Sequence, residues 1–173
     1  MEEKKVDNFL IKDCDLTFGK VLDKTYLSED LKKDLSNDNV LILPMENYPF
    51  YTGPIFAELS SDIYKNFKTN GSDIFKPGIC IEDTQYKEIH FRDINLRLPD
   101  IICMVYVLPI VLNILANYLY DSFFKTKKTK TMKLKIIVQK GKNKSTSIEY
   151  EGSMEDFIKG KDKIEELVLN NED

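Results

Sequence analysis

Residues 101–120, IICMVYVLPIVLNILANYLY, carry no charge, with Asp100 before them and a lysine-rich stretch after them. Whether this run crosses a bilayer or lies in a protein core decides how the rest of the chain is read. As one helix it is about 30 Å long, enough to span a hydrocarbon layer. Eleven of its residues are Ile, Leu or Val, and together they would favour insertion by about 3–7 kcal/mol. Asn113, Asn117 and Pro109 oppose it. In a span, the lysines at 125, 127, 128 and 130 would hold the following end in the cytoplasm and place residues 1–99 outside. That portion contains the unpaired Cys14 and Cys80 and reads as a folded cytoplasmic unit. Pro109, Asn113, Asn117 and Asp121 are spaced four apart and so share one helix face. In a soluble core helix this stripe faces water or a polar loop; in a membrane its asparagines link helices. Both readings stay open here, beside a third in which an exposed apolar helix awaits a partner.

Working outward, the spacing predicts a long helix from about Pro99 to Lys125, with Pro109 bending it. Upstream, Tyr86–Phe91 alternates as a strand. Its phase slips at Asp93, so that Ile94, Leu96 and Leu98 share a face, as a bulge would produce. Val40–Leu43 is a buried strand. Ser28 caps a short helix to Leu35. Ser60 or Ser61 caps another, with Ile63, Tyr64 and Phe67 inward and Gly71 as a left-handed stop. Asn8–Lys12 and Leu16–Leu22 read as strands, and Gly78–Glu82 as a short one. Downstream, Met132–Val138 and Ser145–Tyr150 form a hairpin around residues 140–143. Ser153 and Asp156 then open a last helix with Phe157, Ile158, Ile164, Leu167 and Val168 inward. No repeat or low-complexity linker divides the chain. The expectation is one α+β domain over residues 1–173, a mixed sheet packed around the apolar helix, with 131–169 as a strand–strand–helix unit.

The 173 residues include ten Phe and nine Tyr, enough aromatic surface to offset chain entropy and argue against disorder. The net charge of −4 is unevenly spread: Lys125 to Lys144 holds nine lysines and no acid, while from Glu149 onward nine acids face three lysines. Three scattered cysteines without a CxxC pair point away from disulfides and zinc. The N-terminal MEEKKVDNFLIKD has no long apolar segment of a secretory signal. The expected setting is cytoplasmic, the alternative a single membrane span.

Catalytic signatures are absent from the sequence. With seven glycines there is no GxGxxG or GxxxxGK[ST], so no cofactor is expected. His90, the only histidine, shares a strand face with Glu88 and Arg92, the pattern of a solvated strand; it lacks the companions a zinc site needs. Ser60-Ser61-Asp62 reads as a helix cap. The loop Met45–Pro54 follows a buried strand, where α/β sheets often bind ligands. Its Glu46, Asn47, Tyr48 and Tyr51 could read a peptide or small molecule; the simpler and favoured reading is a proline-fixed crossover whose aromatics complete the core. The lysine hairpin, with Lys133, Lys135 and Lys142, is the other candidate surface. It suits a protein partner or anionic lipid, and lacks the arginines and interleaved aromatics of a nucleic-acid site. Homo-oligomers remain open. Edge lysines that prevent strand addition are the bland alternative.

From Leu98 to Leu169 the order is an apolar helix with LP and YLY, a lysine-rich end, a strand (MKLKIIVQ), a Lys-Gly-Lys turn, a strand (STSIEYEG) and a helix (SMEDFIKGKDKIEEL). This order resembles the effector-associated constant-component modules of bacterial conflict and defence systems. The resemblance covers the last two-fifths of the chain and rests on element order. It implies a non-enzymatic partner of a protease, nuclease or NTPase, and carries over no catalytic residue. The leading expectation is thus a non-catalytic interaction or adaptor component of a bacterial, anti-phage type of system. The alternatives are a small membrane-anchored effector or sensor, and an enzyme using Glu46, His90 or Asp93.

Overall fold

The computed structural model describes residues 2–91, 95–128 and 130–171. The uncharged run is two elements. Asp100–Met104 is a strand (β8); a 3-10 turn, Val105–Val107, follows; helix α4 covers Leu108–Leu119. The expected continuous helix from Pro99 therefore starts late. Pro109 stands in its first turn, where a missing N–H costs no hydrogen bond, and not in its middle. Ile101, Ile102 and Cys103 are all fully buried, because β8 is covered on both faces. A strand of this kind shows no alternation and reads like a helix when it runs into one.

The partners of β8 explain that burial. Val40–Leu43 (β3) lies antiparallel on one side, with Leu41 opposite Ile102. Thr131–Gln139 (β9) lies parallel on the other, with Ile137 opposite Ile102. Beyond β9 come Ser145–Ser153 (β10), then Phe9–Cys14 (β2) and Lys4–Val6 (β1), all antiparallel; Pro77–Ile79 (β5) closes the other edge, parallel to β3. Parallel neighbours need a crossover. Helix α4 is the crossover from β8 to β9. Ser60–Asn70 (α3) is the crossover from β3 to β5 and packs beside α4. Met154–Asn170 (α5) lies on the same face. The inner stripe of α4 is Leu108, Val111, Leu112, Leu115 and Leu119, spaced for one helix face. Asn113, Asn117 and Asp121 are exposed, so the polar stripe faces solvent.

On the opposite sheet face lie Phe18–Leu22 (α1) and Glu29–Leu35 (α2), over Leu41, Leu43, Ile102 and Ile137. Ser28 caps α2 as expected. The strand expected at Leu16–Leu22 is a helix instead: Thr17 accepts the Lys20 N–H at 3.3 Å and opens it, with Val21 buried. At α3 the serines do not cap; Glu88 accepts the Leu59 N–H at 2.9 Å, while the Ser60 hydroxyl donates to the Ala57 carbonyl at 2.5 Å. Gly71 ends α3 with φ −76°, not left-handed. A Cβ at this position would come within 2.3 Å of the Phe75 ring and 2.9 Å of the Phe67 carbonyl oxygen, so a side chain there would force a shift. Tyr86–Phe91 contributes only Glu88–Ile89 (β6), which pairs with Phe56–Ala57 (β4) in a small second sheet.

The slip expected at Asp93 falls outside the described residues. A one-residue offset does occur downstream. Leu96–Arg97 (β7) also pairs with β9, and between Arg97 opposite Lys133 and Ile101 opposite Ile136 three residues stand against two. This bulge puts Leu98 and Ile101 into the same core cluster. The strand–strand–helix unit 131–169 is present as expected, with Phe157, Ile164 and Val168 buried. The N-terminal β2 pairs with β10, so that unit shares one sheet with the first residues of the chain.

One part of this core is poorly satisfied. The hydroxyls of Ser145, Thr146 and Ser147 are buried and find no hydrogen-bond partner among the described residues. Thr146 alternates with Ile148 and Tyr150 toward the main core. A lone buried hydroxyl costs about 1–3 kcal/mol, and valine has the same shape without it. Thr146→Val is expected to raise unfolding stability by about 1–2 kcal/mol. Urea titration measures this, and an unchanged midpoint would mean the hydroxyl is paired.

Candidate functional site

Alternation along β9 and β10 sends Met132, Leu134, Ile136, Ile148 and Tyr150 into the main core. It sends Lys133, Lys135, Glu149 and Glu151 to the opposite face. Helices α1 and α2 cover only the Ile102 and Ile137 end of that face, so the charged end is open. Register sets Lys135 against Glu149 and Lys133 against Glu151. Glu149 meets Lys12 at 3.1 Å and Lys135 at 3.9 Å; Glu151 meets Lys133 at 3.6 Å. These partly exposed pairs add little stability, but they hold the side chains in one layer. The lysines expected as an edge guard stand in the middle of the sheet, since β9 lies between β8 and β10.

This layer floors a groove of about 590 Å³. Its charged lining is Lys5, Arg97, Lys133 and Lys135 against Asp100, Glu149 and Glu151, four cations to three carboxylates. Arg97 and Asp100 also line a second hollow of about 510 Å³, formed with Lys24, Tyr26, Glu46, Asn47 and Tyr48. The two hollows therefore meet. Burial raises the affinity of the Asp100 carboxyl for its proton, with Glu149 adding to the effect while Lys135 and Arg97 oppose it. Burial likewise pushes the Tyr26 phenol up, with Glu46 beside it.

The loop 45–54 rises at this end. A bridge between Met45 and Ile55, with N–H to carbonyl distances of 2.7 and 3.0 Å, closes its base. Glu46 pairs with Lys24 at 2.9 Å. The Tyr48 ring meets Phe91 edge-on at 5.8 Å and Tyr51 at 6.0 Å. Tyr51 N–H bonds the Tyr48 carbonyl at 3.2 Å around Pro49 and Phe50. Phe50 has φ +68°. Proline followed by positive φ is a type II turn, whose third position favours glycine. Here it holds a phenylalanine that is fully exposed.

Of the residues expected to bind a partner, Glu46, Asn47, Tyr48, Lys133 and Lys135 line this joined surface. Tyr51 stands at its rim, beside Tyr48. Lys142 does not join them: it sits in the turn at the far end of the hairpin, about 20 Å of strand from Lys133. Phe50, Arg97 and Asp100 were not singled out from sequence. The Pro49-Phe50 pair was the available signal for the first; for the other two only the sheet register places them. Glu46 and His90 are committed to different partners, His90 lying 3.5 Å from Glu58. Asp93 falls outside the described residues, and among those described no three His, Cys, Asp or Glu side chains group closely enough to hold a metal.

Fold and surface together define an α+β domain with one open, mixed-charge sheet face beside an aromatic loop. Comparison with protein-family models, with curated proteins and with solved structures finds no match to this chain.

Proposed function

We propose that this chain is a non-catalytic binding component of a multi-protein assembly, docking a protein partner on the 45–54 loop and the groove beside it. The observation that carries the reading is Phe50. An L-residue in the left-handed region costs about 1–2 kcal/mol relative to glycine, and a fully exposed ring gains nothing in the free chain. Rigid exposed aromatics are the usual anchors of protein interfaces. The near-balanced charges of the groove suit a protein surface of matching pattern better than a polyanion. The resemblance of the C-terminal two-fifths to defence-system modules supports the same role in a bacterial setting, with the cytoplasm as the proposed compartment.

Phe50→Gly is expected to raise stability by about 0.5–1 kcal/mol, the relief of the turn less the extra freedom of an unfolded glycine. It should also abolish capture of partners that the wild-type chain retains from a native extract. Lys133→Glu with Lys135→Glu should weaken the same partners. If both variants retain an unchanged set of partners, the proposal fails.

The membrane-anchored reading has one observation in its favour: the helical stretch Val105–Phe124 is long and apolar enough to cross a membrane. Against it, the inner face of α4 forms the core over the sheet. Moving it into lipid would expose β8 and β9, and Ile101–Met104 is strand, not helix.

A further inference from the structure

Helix α4 continues into a π-helical turn, Tyr120–Phe124, and ends in an exposed tip, residues 124–128. The Lys127 N–H bonds the Phe124 carbonyl and the Lys128 N–H bonds the Phe123 carbonyl, at 3.0 and 2.7 Å. With Lys127 at φ +57°, this is the closing motif that glycine normally serves. Phe123 packs on the core and fixes the tip to the domain. Tyr120 and Phe124 point outward, 47% and 37% exposed, their rings stacked at 5.4 Å. Lys125, Lys127, Lys128 and Lys130 follow, all exposed. None of these four meets a carboxylate among the described residues, whereas Lys133 and Lys135 are paired. The acid on this segment is Asp121, which is exposed and lines a hollow with Asn66, Asn70 and Asn117; the next acid in the chain is Glu149.

We propose that Tyr120 and Phe124, with Lys125, Lys127, Lys128 and Lys130, form a peripheral membrane-contact site for anionic phospholipid, the lysines meeting headgroups and the aromatic pair entering the interface. Aromatic rings beside lysines on one exposed element are the chemistry of interfacial attachment, and clustered lysines are drawn to an anionic leaflet. The two rings already stack on each other, which leaves less face for a nucleic-acid base. Lysine gives point charge without the planar fork that reads phosphodiesters and bases. This contact is separate from the 45–54 groove and uses none of its residues.

Vesicle co-sedimentation of the full chain tests it. Vesicles of phosphatidylcholine with one-third phosphatidylserine should bind at least about tenfold better than pure phosphatidylcholine, and 0.5 M salt should remove the difference. Replacing Lys125, Lys127, Lys128 and Lys130 by Glu should reduce binding to the neutral-vesicle level. Tyr120→Ser with Phe124→Ser should lower it several-fold, and both residues are exposed enough for the fold to stand, as circular dichroism would verify. Equal binding to both vesicles that resists salt and alkaline carbonate would mean a spanning helix and overturn the proposal. So would anionic binding that survives the lysine reversal, or tip-dependent binding of single-stranded RNA without vesicle binding.

Discussion

Ile102→Asp is expected to leave the chain without a cooperative unfolding transition. Ile102 is fully buried in β8, on the sheet face beneath α1 and α2, where it packs in one apolar cluster with Val21, Leu27, Leu35 and Cys80. Its strand neighbours are Leu41 and Ile137. The residues of that cluster are apolar, so a carboxylate there is stripped of water and either stays charged or takes up a proton. Either costs several kcal/mol, a large part of the 5–15 kcal/mol that holds a domain of this kind. Ile102→Val removes only a methylene and should cost about 0.5–1.5 kcal/mol. A central strand makes position 102 intolerant of charge while tolerating valine. An Ile102→Asp chain with near wild-type melting would show that this position is not between α1, α2 and the sheet.

Phe157→Ala is expected to lower stability by about 3–5 kcal/mol. For a chain of this length that corresponds to a fall of roughly 6–20 °C in Tm. Phe157 is 1% exposed at the start of α5. Its ring lies 6.0 Å from Phe9 and 5.4 Å from Tyr150, and those two lie 4.6 Å from each other. The three rings join the last helix to the first long strand through β10. The loss therefore combines the transfer of a large side chain with ring contacts worth about 0.5–1.5 kcal/mol each. Because β2 comes from the N-terminus and α5 from the C-terminus, the whole chain should still melt in one transition at the lower temperature. Calorimetry showing an early separate transition for residues 131–169 would mean that the strand–strand–helix unit folds apart from the rest.

The lesson of the 101–120 run lies in these positions. Local signals were reliable where the chemistry is local. Ser28 and Ser153 cap their helices because a hydroxyl reaches an N–H three residues on. The hairpin of β9 and β10 follows its period of two, and α5 its period of 3.6. Pro109 also carried a local message, but it marks a helix start and not a kink, and only the strand before it makes that visible. At the candidate site, the loop and Lys133 and Lys135 were legible as surface chemistry. Their adjacency was not, since Arg97 and Asp100 join them only through the register of β7, β8 and β9. Nor could composition say that Lys133 and Lys135 face glutamates while the lysines at 125–130 do not.

The α+β class, the aromatic-rich composition, the C-terminal strand–strand–helix segment and the uncharged apolar run are all legible in the amino-acid order. These follow from periodicity, caps and transfer free energies, which act over a few residues. The tertiary structure decided that the run divides at Met104. A strand covered on both faces and a crossover helix have the same apolar composition as one membrane-length helix, and only the neighbours β3 and β9, distant in sequence, supply the hydrogen bonds that make Asp100–Met104 extended.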